Sequence, residues 1–132
     1  MNRLEIVQKI HDTFQLKGLI DLHKLEDQPY ILEECSDADV ETYIAQIMIY
    51  CLDCTKSEDE PFIFSQLMFY LNELSKCKNT DVQHLSTFRN MEPEKQGLVI
   101  QFLQHMHEHS KFIIQNDRLR INKIIKRLNS QL

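Results

Sequence analysis

Glycine and proline are scarce in this chain, and tryptophan is absent: the 132 residues include two glycines and three prolines. Tight hairpin turns depend on glycine and on the few other residues that tolerate a positive φ, so this composition argues against a fold of many short strands. Hydrophobic residues at 42% and charged residues at 27% are ordinary globular values. The sequence predicts an all-α fold, a compact bundle of five or six helices in one domain over residues 1 to 132.

Long apolar runs are also missing, and the first residues, MNRLEIVQKIHDTF, carry charges within their first turns. This pattern is typical neither of a secretory signal nor of a membrane span. We therefore expect a cytoplasmic protein with no membrane partner. Its four cysteines are expected to stay reduced.

The sequence motifs of familiar enzymes are missing as well. The two glycines, Gly18 and Gly97, are too few and too far apart for a phosphate-binding loop, and neither a GxSxG elbow nor an HExxH motif occurs. We expect a non-enzymatic protein with no catalytic residues and no cofactor. Catalysis by an unrecognised pair of acids stays open.

The stretch HMHEH contains three histidines on alternate positions, 105, 107 and 109. On a helix, His105 and His109 lie one turn apart, whereas His107 is rotated away from His105 by about 160°. A zinc site would therefore need ligands from another helix, such as Glu73 or His84. We expect surface or boundary histidines here and no metal ligands.

Cys51 and Cys54 have the CxxC spacing of a redox pair or of half a zinc site. No second CxxC follows, and Cys51 belongs to the apolar stripe of a predicted helix. We expect Cys51 to be a small buried hydrophobe and Cys54 to lie at the end of that helix.

Apolar spacing predicts most of the helices. The first covers residues 2 to 16 with the stripe Leu4, Val7, Ile10 and Phe14, and others begin behind Ser36 and Asp39, at Pro61, near Thr80 and at Pro93. Residues 19 to 30 show no clear period apart from a turn at Asp27-Gln28-Pro29.

The last apolar stripe continues from residue 98 to residue 128, interrupted by Ser110 and Asp117. One helix of that length would be about 45 to 50 Å long and would overhang a small domain. The alternatives are a fold-back at Gln115-Asn116-Asp117 and a two-fold dimer that covers the overhang. We favour the fold-back, and with it a monomer over a homodimer.

Charge is distributed unevenly. Residues 26 to 60 contain eleven acids and one base, Lys56, for a formal charge of −10, whereas the basic C-terminal segment 111–132 carries a formal charge of +5. The acids are Glu26, Asp27, Glu33, Glu34, Asp37, Asp39, Glu41, Asp53, Glu58, Asp59 and Glu60. Such polarity bears on partners rather than on the fold.

The chain resembles a family of small uncharacterised bacterial proteins with a domain of unknown function, sometimes encountered near toxin genes. The resembling segments are Ile10 to Phe14, Phe64 to Leu71, Met91 to Gln96 and Ile100 to Leu103. Where that family has a tryptophan before its second apolar helix and a proline after Tyr-Leu, this chain has no tryptophan and has Asn72. The resemblance implies an all-helical fold and assigns no catalytic residue.

These observations favour a protein-binding module, most concretely a bacterial immunity or antitoxin-like protein that covers the basic surface of another protein. The candidate partner-binding residues are Glu58, Asp59, Glu60, Asp37, Asp39, Phe69 and Tyr70; the two aromatic residues point away from the main stripe of their helix. The alternative is a nucleic-acid-associated regulator that uses the basic C-terminal helix, with Arg118, Arg120, Lys123, Lys126 and Arg127 on phosphates.

Overall fold

The computed structural model describes residues 1–16, 23–76 and 89–130. Within these ranges the chain forms seven helices and no strand, so the all-α prediction is confirmed. The helices are α1 (Arg3–Thr13), α2 (His23–Asp27), α3 (Ile31–Glu34), α4 (Val40–Asp53), α5 (Phe62–Ser75), α6 (Pro93–His109) and α7 (Gln115–Ser130). The count exceeds five or six because of two short helices: α2 lies in the stretch 19 to 30 that shows no clear period, and the four-residue α3 follows it directly. The helix predicted near Thr80 lies outside the described residues.

The five longer helices form a closed ring of contacts. In that ring α1 packs on α4, α4 on α5, α5 on α7, α7 on α6, and α6 back on α1. α4 also contacts α6 across the ring, while the short α2 packs on α5 and the short α3 on α4. Each long helix therefore buries the side that faces its neighbours.

Helix α4 is the most enclosed element, because α1, α3, α5 and α6 all contact it. Its buried residues, which extend well beyond a single stripe, are Val40, Ile44, Ala45, Ile47, Met48, Ile49, Cys51 and Leu52. A helix that is apolar on most sides has to lie in the interior, so the composition of this segment fixes its central position.

Helix α1 differs in detail from its predicted stripe. Ile10 and Phe14 are buried as predicted, but Leu4 is 67% exposed and Ile6 takes its place in the core. Asn2 caps the helix, its side-chain oxygen accepting a hydrogen bond from the Glu5 N–H at 2.9 Å. Leu4 then lies in the first turn, about 200° around the helix from Ile6 and away from α4 and α6.

Ile10 and Leu4 give a matched test of which side of α1 faces the core. We expect Ile10→Ala to lower the free energy of unfolding by about 2–5 kcal/mol, because it opens a cavity in a fully buried site. Leu4→Ala, on the same helix, should change it by no more than about 0.5 kcal/mol. Urea denaturation measures both, and similar losses in the two variants would contradict the placement of α1.

Three helices begin at or near the residues that the sequence predicts. Pro93 is the first residue of α6, as predicted, and the helix predicted at Pro61 begins one residue later, at Phe62. The helix predicted behind Ser36 begins only at Val40. The Ser36 hydroxyl donates to the Asp39 carboxylate at 3.1 Å, and the Asp39 N–H donates to the Ser36 carbonyl at 3.0 Å. These bonds close a turn that precedes the helix, so Asp39 takes the capping position.

The C-terminal stripe folds back on itself, as favoured, but the break lies at residues 110–114 instead of 115–117. Asn116 and Asp117 stand in the first turn of α7, where a carboxylate is favourable. The break is fixed by Phe112 and Ile113, both buried, and by the Arg118 guanidinium, which donates to the Ser110 carbonyl at 3.0 Å. The expectation of a monomer stays a prediction.

Candidate protein-binding surface

Two large aromatic side chains lie exposed against each other on one face of the protein. The rings of Tyr30 and Phe62 meet edge to face, with their centroids 5.6 Å apart and their planes at 82°. Tyr30 is 45% exposed and Phe62 is 52% exposed. Exposed aromatic residues are enriched at the centres of protein interfaces, so this pair is the strongest candidate anchor in the described residues.

Local sequence explains how the two rings come together. Tyr30 follows the turn at Gln28-Pro29 and is the N-cap residue of α3, its carbonyl accepting the Glu33 and Glu34 N–H groups at 2.9 and 3.2 Å. Phe62 is the first residue of α5, directly behind the extended Pro61. α2 packs on α5, and the contact between the two rings places the turn after α2 beside the start of α5.

Exposed acids flank both rings along the chain. Asp27, Glu33 and Glu34 lie within four residues of Tyr30, and all three are exposed. Glu58, Asp59 and Glu60 are exposed within four residues of Phe62. Together these residues form what we call the acidic–aromatic surface: Tyr30, Phe62, Asp27, Glu33, Glu34, Glu58, Asp59 and Glu60.

The loop before α5 is shaped by its own side chains. The Ser57 hydroxyl lies 3.1 Å from the Asp59 carbonyl and accepts the Asp59 N–H at 3.2 Å. Glu60 accepts a hydrogen bond from the Ser65 hydroxyl at 2.6 Å. The Glu58 and Asp59 carboxylates have no ion-pair partner among the described residues, so their charge is directed to solvent.

The predicted partner-binding residues divide into three groups. Glu58, Asp59 and Glu60 are exposed and lie within four residues of Phe62 along the chain. Phe69 is 56% exposed and stands seven residues beyond Phe62, on the same side of α5. Asp37 and Asp39 are exposed but lie at the other end of α4 from the Glu58–Glu60 loop, about 21 Å away along that 14-residue helix.

The prediction that Tyr70 points outward is wrong: only 5% of it is exposed. Because α5 contacts α2, α4 and α7, it buries a wider arc than a single stripe, and that arc includes position 70. Burial raises the pKa of the Tyr70 hydroxyl above its ordinary value, and the nearby Cys35 and Asp37 raise it further. Asp37 therefore lies near the middle of α5 rather than near Phe62.

Sequence reasoning missed the pairing of Tyr30 with Phe62. A seven-residue interval separates Phe62 from Phe69, and that interval returns to nearly the same side of a helix, so this signal was present in the chain. Tyr30 carried no such signal. Its position depends on the contact between α2 and α5, which periodicity does not reveal.

Besides Asp39 and Glu60, which accept from the Ser36 and Ser65 hydroxyls, three more acids of the predicted window are engaged within the fold. Asp53 accepts from Arg3 at 2.7 Å, Glu41 from Lys95 at 3.2 Å, and Glu26 from the Tyr50 hydroxyl at 2.8 Å. Ion pairs at a protein surface contribute little stability. Their effect here is on the acids that stay open to a partner, among which Asp27, Glu33, Glu34, Glu58 and Asp59 are exposed and close in sequence to Tyr30 or Phe62.

The histidine cluster is arranged as the helical reading predicts. The rings of His105 and His109 lie one turn apart with centroids 4.5 Å apart, His105 is buried and His109 is exposed. Burial lowers the pKa of His105, and the neighbouring His109 lowers it further while Glu108 acts in the opposite direction. Across the part of the chain that the structure describes, no group of three or more His, Cys, Asp or Glu residues is placed to hold a metal ion.

The lowered pKa of His105 sets a pH dependence of stability. An unfolded histidine has a pKa of about 6.5, so below that pH the unfolded chain binds the proton that the folded site resists. The contribution of the neutral His105 to the free energy of unfolding is complete above about pH 6.5. It is lost as the pH falls toward the lowered pKa of His105 in the folded protein. We expect His105→Gln to flatten the decline of the free energy of unfolding between about pH 7 and 5.

Urea denaturation at several pH values measures this decline. The exposed His109 supplies a control, because His109→Gln should keep most of the slope. A His105→Gln variant with the full slope of the unaltered protein would contradict the assignment.

The CxxC pair lies at the C-terminal end of α4, with Cys51 inside the helix and Cys54 as its cap. Burial raises the pKa of the Cys51 thiol well above its ordinary value, and burial also raises that of Cys54. Redox-active cysteines show the opposite shift, which the N-terminal end of a helix favours and this C-terminal end does not. The arrangement therefore fits a structural role for both thiols rather than a redox role.

A groove of about 450 Å³ lies between α1 and α6. Its walls carry charges of both signs and one apolar side chain: Lys9, Asp12, Thr13, Glu94, Gly97, Leu98 and Gln101. The Asp12 carboxylate accepts from the Gln8 amide at 3.0 Å, and the Gln101 side-chain oxygen is buried without a hydrogen-bond partner in the described residues. These lining residues offer polar contacts, but they include no cysteine or histidine that could form a catalytic pair with a neighbouring base.

Gly97 gives a test of how open this groove is. It lies inside α6, and a Cβ added there meets no atom within 4 Å. Because glycine costs about 1 kcal/mol relative to alanine in a helix interior, we expect Gly97→Ala to raise the free energy of unfolding by up to about that amount.

Thermal and urea unfolding measure the change. Gln104→Ala at an exposed position of the same helix is the control, and it should change stability by a few tenths of a kcal/mol at most, about the difference in helix propensity. A destabilised Gly97→Ala protein would show that the groove is closed in solution.

No helix in the described parts of the chain has both the length and the apolar composition needed to cross a membrane. Comparison with protein-family models, with curated proteins and with solved structures finds no match to this chain. The family resemblance noted in the sequence stays a prediction.

Proposed function

We propose that this protein is a non-enzymatic protein-binding module whose acidic–aromatic surface covers a basic surface on another protein. The observation that carries the proposal is the exposed Tyr30–Phe62 pair among exposed acids. Aromatic rings supply the buried anchor of an interface, and the surrounding charges select and steer the partner. An immunity or antitoxin-like role is the narrower form of this proposal.

Charge makes the proposal specific about the partner. Between residues 26 and 60 the formal charge is −10, and the exposed acids Asp27, Glu33, Glu34, Glu58, Asp59 and Glu60 of this window lie within four residues of one of the two rings along the chain. A surface of this kind attracts a basic protein at low ionic strength, and added salt screens that attraction within a Debye length of about 10 Å at 0.1 M. Binding should therefore be fast and strongly dependent on salt.

Reversal of two acids beside Phe62 tests the proposal. We expect Glu58→Lys with Asp59→Lys to weaken partner binding by about tenfold or more at about 50 mM salt, because both attraction and steering are lost. Glu60 is left unchanged because it accepts the Ser65 hydrogen bond at the start of α5. The measurement is retention of proteins from the source cells, identified by mass spectrometry, followed by affinity titration of the purified partner.

The matched control reverses two acids elsewhere, Glu92→Lys at the N-cap of α6 and Glu108→Lys within α6; the two glutamate side chains are 72% and 68% exposed. This control makes the same change of net charge and should bind nearly as well as the unaltered protein. Equal losses in the two double variants would contradict a localised binding surface. Failure to retain any protein at low salt would contradict the function.

The nucleic-acid alternative rests on α7, where Arg120, Lys123 and Lys126 are exposed. If these side chains neutralised phosphates, added salt would weaken the binding. For each phosphate contact, the affinity would fall by close to one logarithmic unit for each tenfold rise in salt. The same experiment separates the two candidates, because Arg120→Glu with Lys123→Glu removes binding only under the alternative. Retention that nuclease treatment abolishes would favour the alternative as well.

A further inference from the structure

We infer that the Tyr30–Phe62 pair is an arginine-recognition site: a guanidinium group of the partner stacks on the exposed rings while neighbouring carboxylates bind its N–H groups. This inference rests on the proposed function and names the chemistry of its central contact. It commits to an arginine-containing segment of a basic protein as the occupant.

The ring geometry provides the first argument. In an edge-to-face pair, the edge of one ring covers part of one face of the other, and Tyr30 and Phe62 remain 45% and 52% exposed. Aromatic faces carry negative electrostatic potential and attract a cation placed over them. A planar guanidinium stacks on such faces and is more weakly hydrated than an ammonium, so arginine fits this pair better than lysine.

No cation of this chain takes that place within the described residues. The one cation–π contact there joins Lys95 to Phe14, with Nζ 5.6 Å from the ring centroid. The window from residue 26 to residue 60 contains a single base, the exposed Lys56, against eleven acids. Among the described residues no cation of this chain lies over the two rings, and the exposed acids close to them in sequence are complementary to a cation from a partner.

The carboxylates provide the second argument. Glu33, Glu34 and Glu58 are exposed, lie within four residues of one of the rings, and form no ion pair with the described part of the chain. A carboxylate accepts two parallel hydrogen bonds from a guanidinium, a geometry that ammonium lacks. Stacking and paired hydrogen bonds together distinguish arginine from any other cation of equal charge.

Phe69 shows why the pair, rather than any exposed ring, is the site. It is 56% exposed on the same helix, yet Lys76 and Glu73, seven and four residues further on, form their own ion pair at 3.0 Å. The local charge near Phe69 is thus partly neutralised, and no ring of the described residues stacks on it. Phe69→Leu is therefore the matched control for loss of an exposed ring.

The test uses the full chain and three flexible synthetic peptides of equal length. The first carries arginines spaced by glycine and serine, the second carries lysines in their place, and the third carries citrulline, which keeps the shape of arginine without its charge. Fluorescence anisotropy gives a dissociation constant for each. We expect the arginine peptide to bind about five- to tenfold more tightly than the lysine peptide, and the citrulline peptide to bind much more weakly.

Leucine variants then locate the preference. Phe62→Leu and Tyr30→Leu keep apolar area but lose the ring faces, so each should reduce the arginine-to-lysine ratio to about two or less, whereas Phe69→Leu and the conservative Phe62→Tyr should keep it. Circular dichroism and thermal unfolding check that all variants are folded. We expect them to fold, because the substituted side chains are about half exposed.

The outcomes separate this inference from the proposed function. Equal affinity for arginine and lysine peptides, or a preference that survives in both Phe62→Leu and Tyr30→Leu, overturns arginine recognition while salt-dependent binding of a basic partner still stands. Absence of binding to either basic peptide overturns the inference too. Only the separate failure to retain a basic protein partner overturns the function.

Discussion

The burial of α4 is the constraint on which the rest of the structure depends. Four other helices contact this element, and residues such as Ile44, Ile47 and Met48 are completely inaccessible to solvent. Burial of each such side chain contributes about 1.5–3 kcal/mol, and a helix that is apolar on several sides can achieve it only in the interior. The polar segments before and after α4 are consequently displaced to the surface, which is where the acids lie.

That displacement also explains the shape of the candidate binding surface. The chain reaches α4 through α2, α3 and an acidic turn, and leaves it through the acidic loop of residues 56–60. Since α2 packs on α5, the approach and the exit meet where Tyr30 touches Phe62. The burial of one helix therefore leaves exposed acids of both flanking segments, such as Glu33 and Glu58, close in sequence to the two rings.

Much of the fold followed from periodicity, whereas much of the candidate site did not. The stripe Val99, Phe102, Leu103 and Met106 is buried as predicted, because strong amphipathic patterns constrain a helix whatever its neighbours are. Leu4 and Tyr70 were assigned to the wrong environment, since the width of a buried arc depends on how many helices surround it. The pairing of Tyr30 with Phe62 depends on tertiary contact, so local sequence carried only the half of it that lies on α5.

A single backbone hydrogen bond joins the two loops that lie at one end of the bundle. The Lys111 N–H donates to the Thr55 carbonyl at 2.9 Å, and Thr55 directly precedes the acidic loop, whereas Lys111 lies in the break that leads to the basic helix α7. This hydrogen bond thus connects the residue before the acidic loop to the break that precedes the basic helix. Any displacement of the loop that follows Thr55 stretches this bond, so the exchange rate of the Lys111 amide hydrogen is a direct measure of how rigidly the two oppositely charged regions are connected.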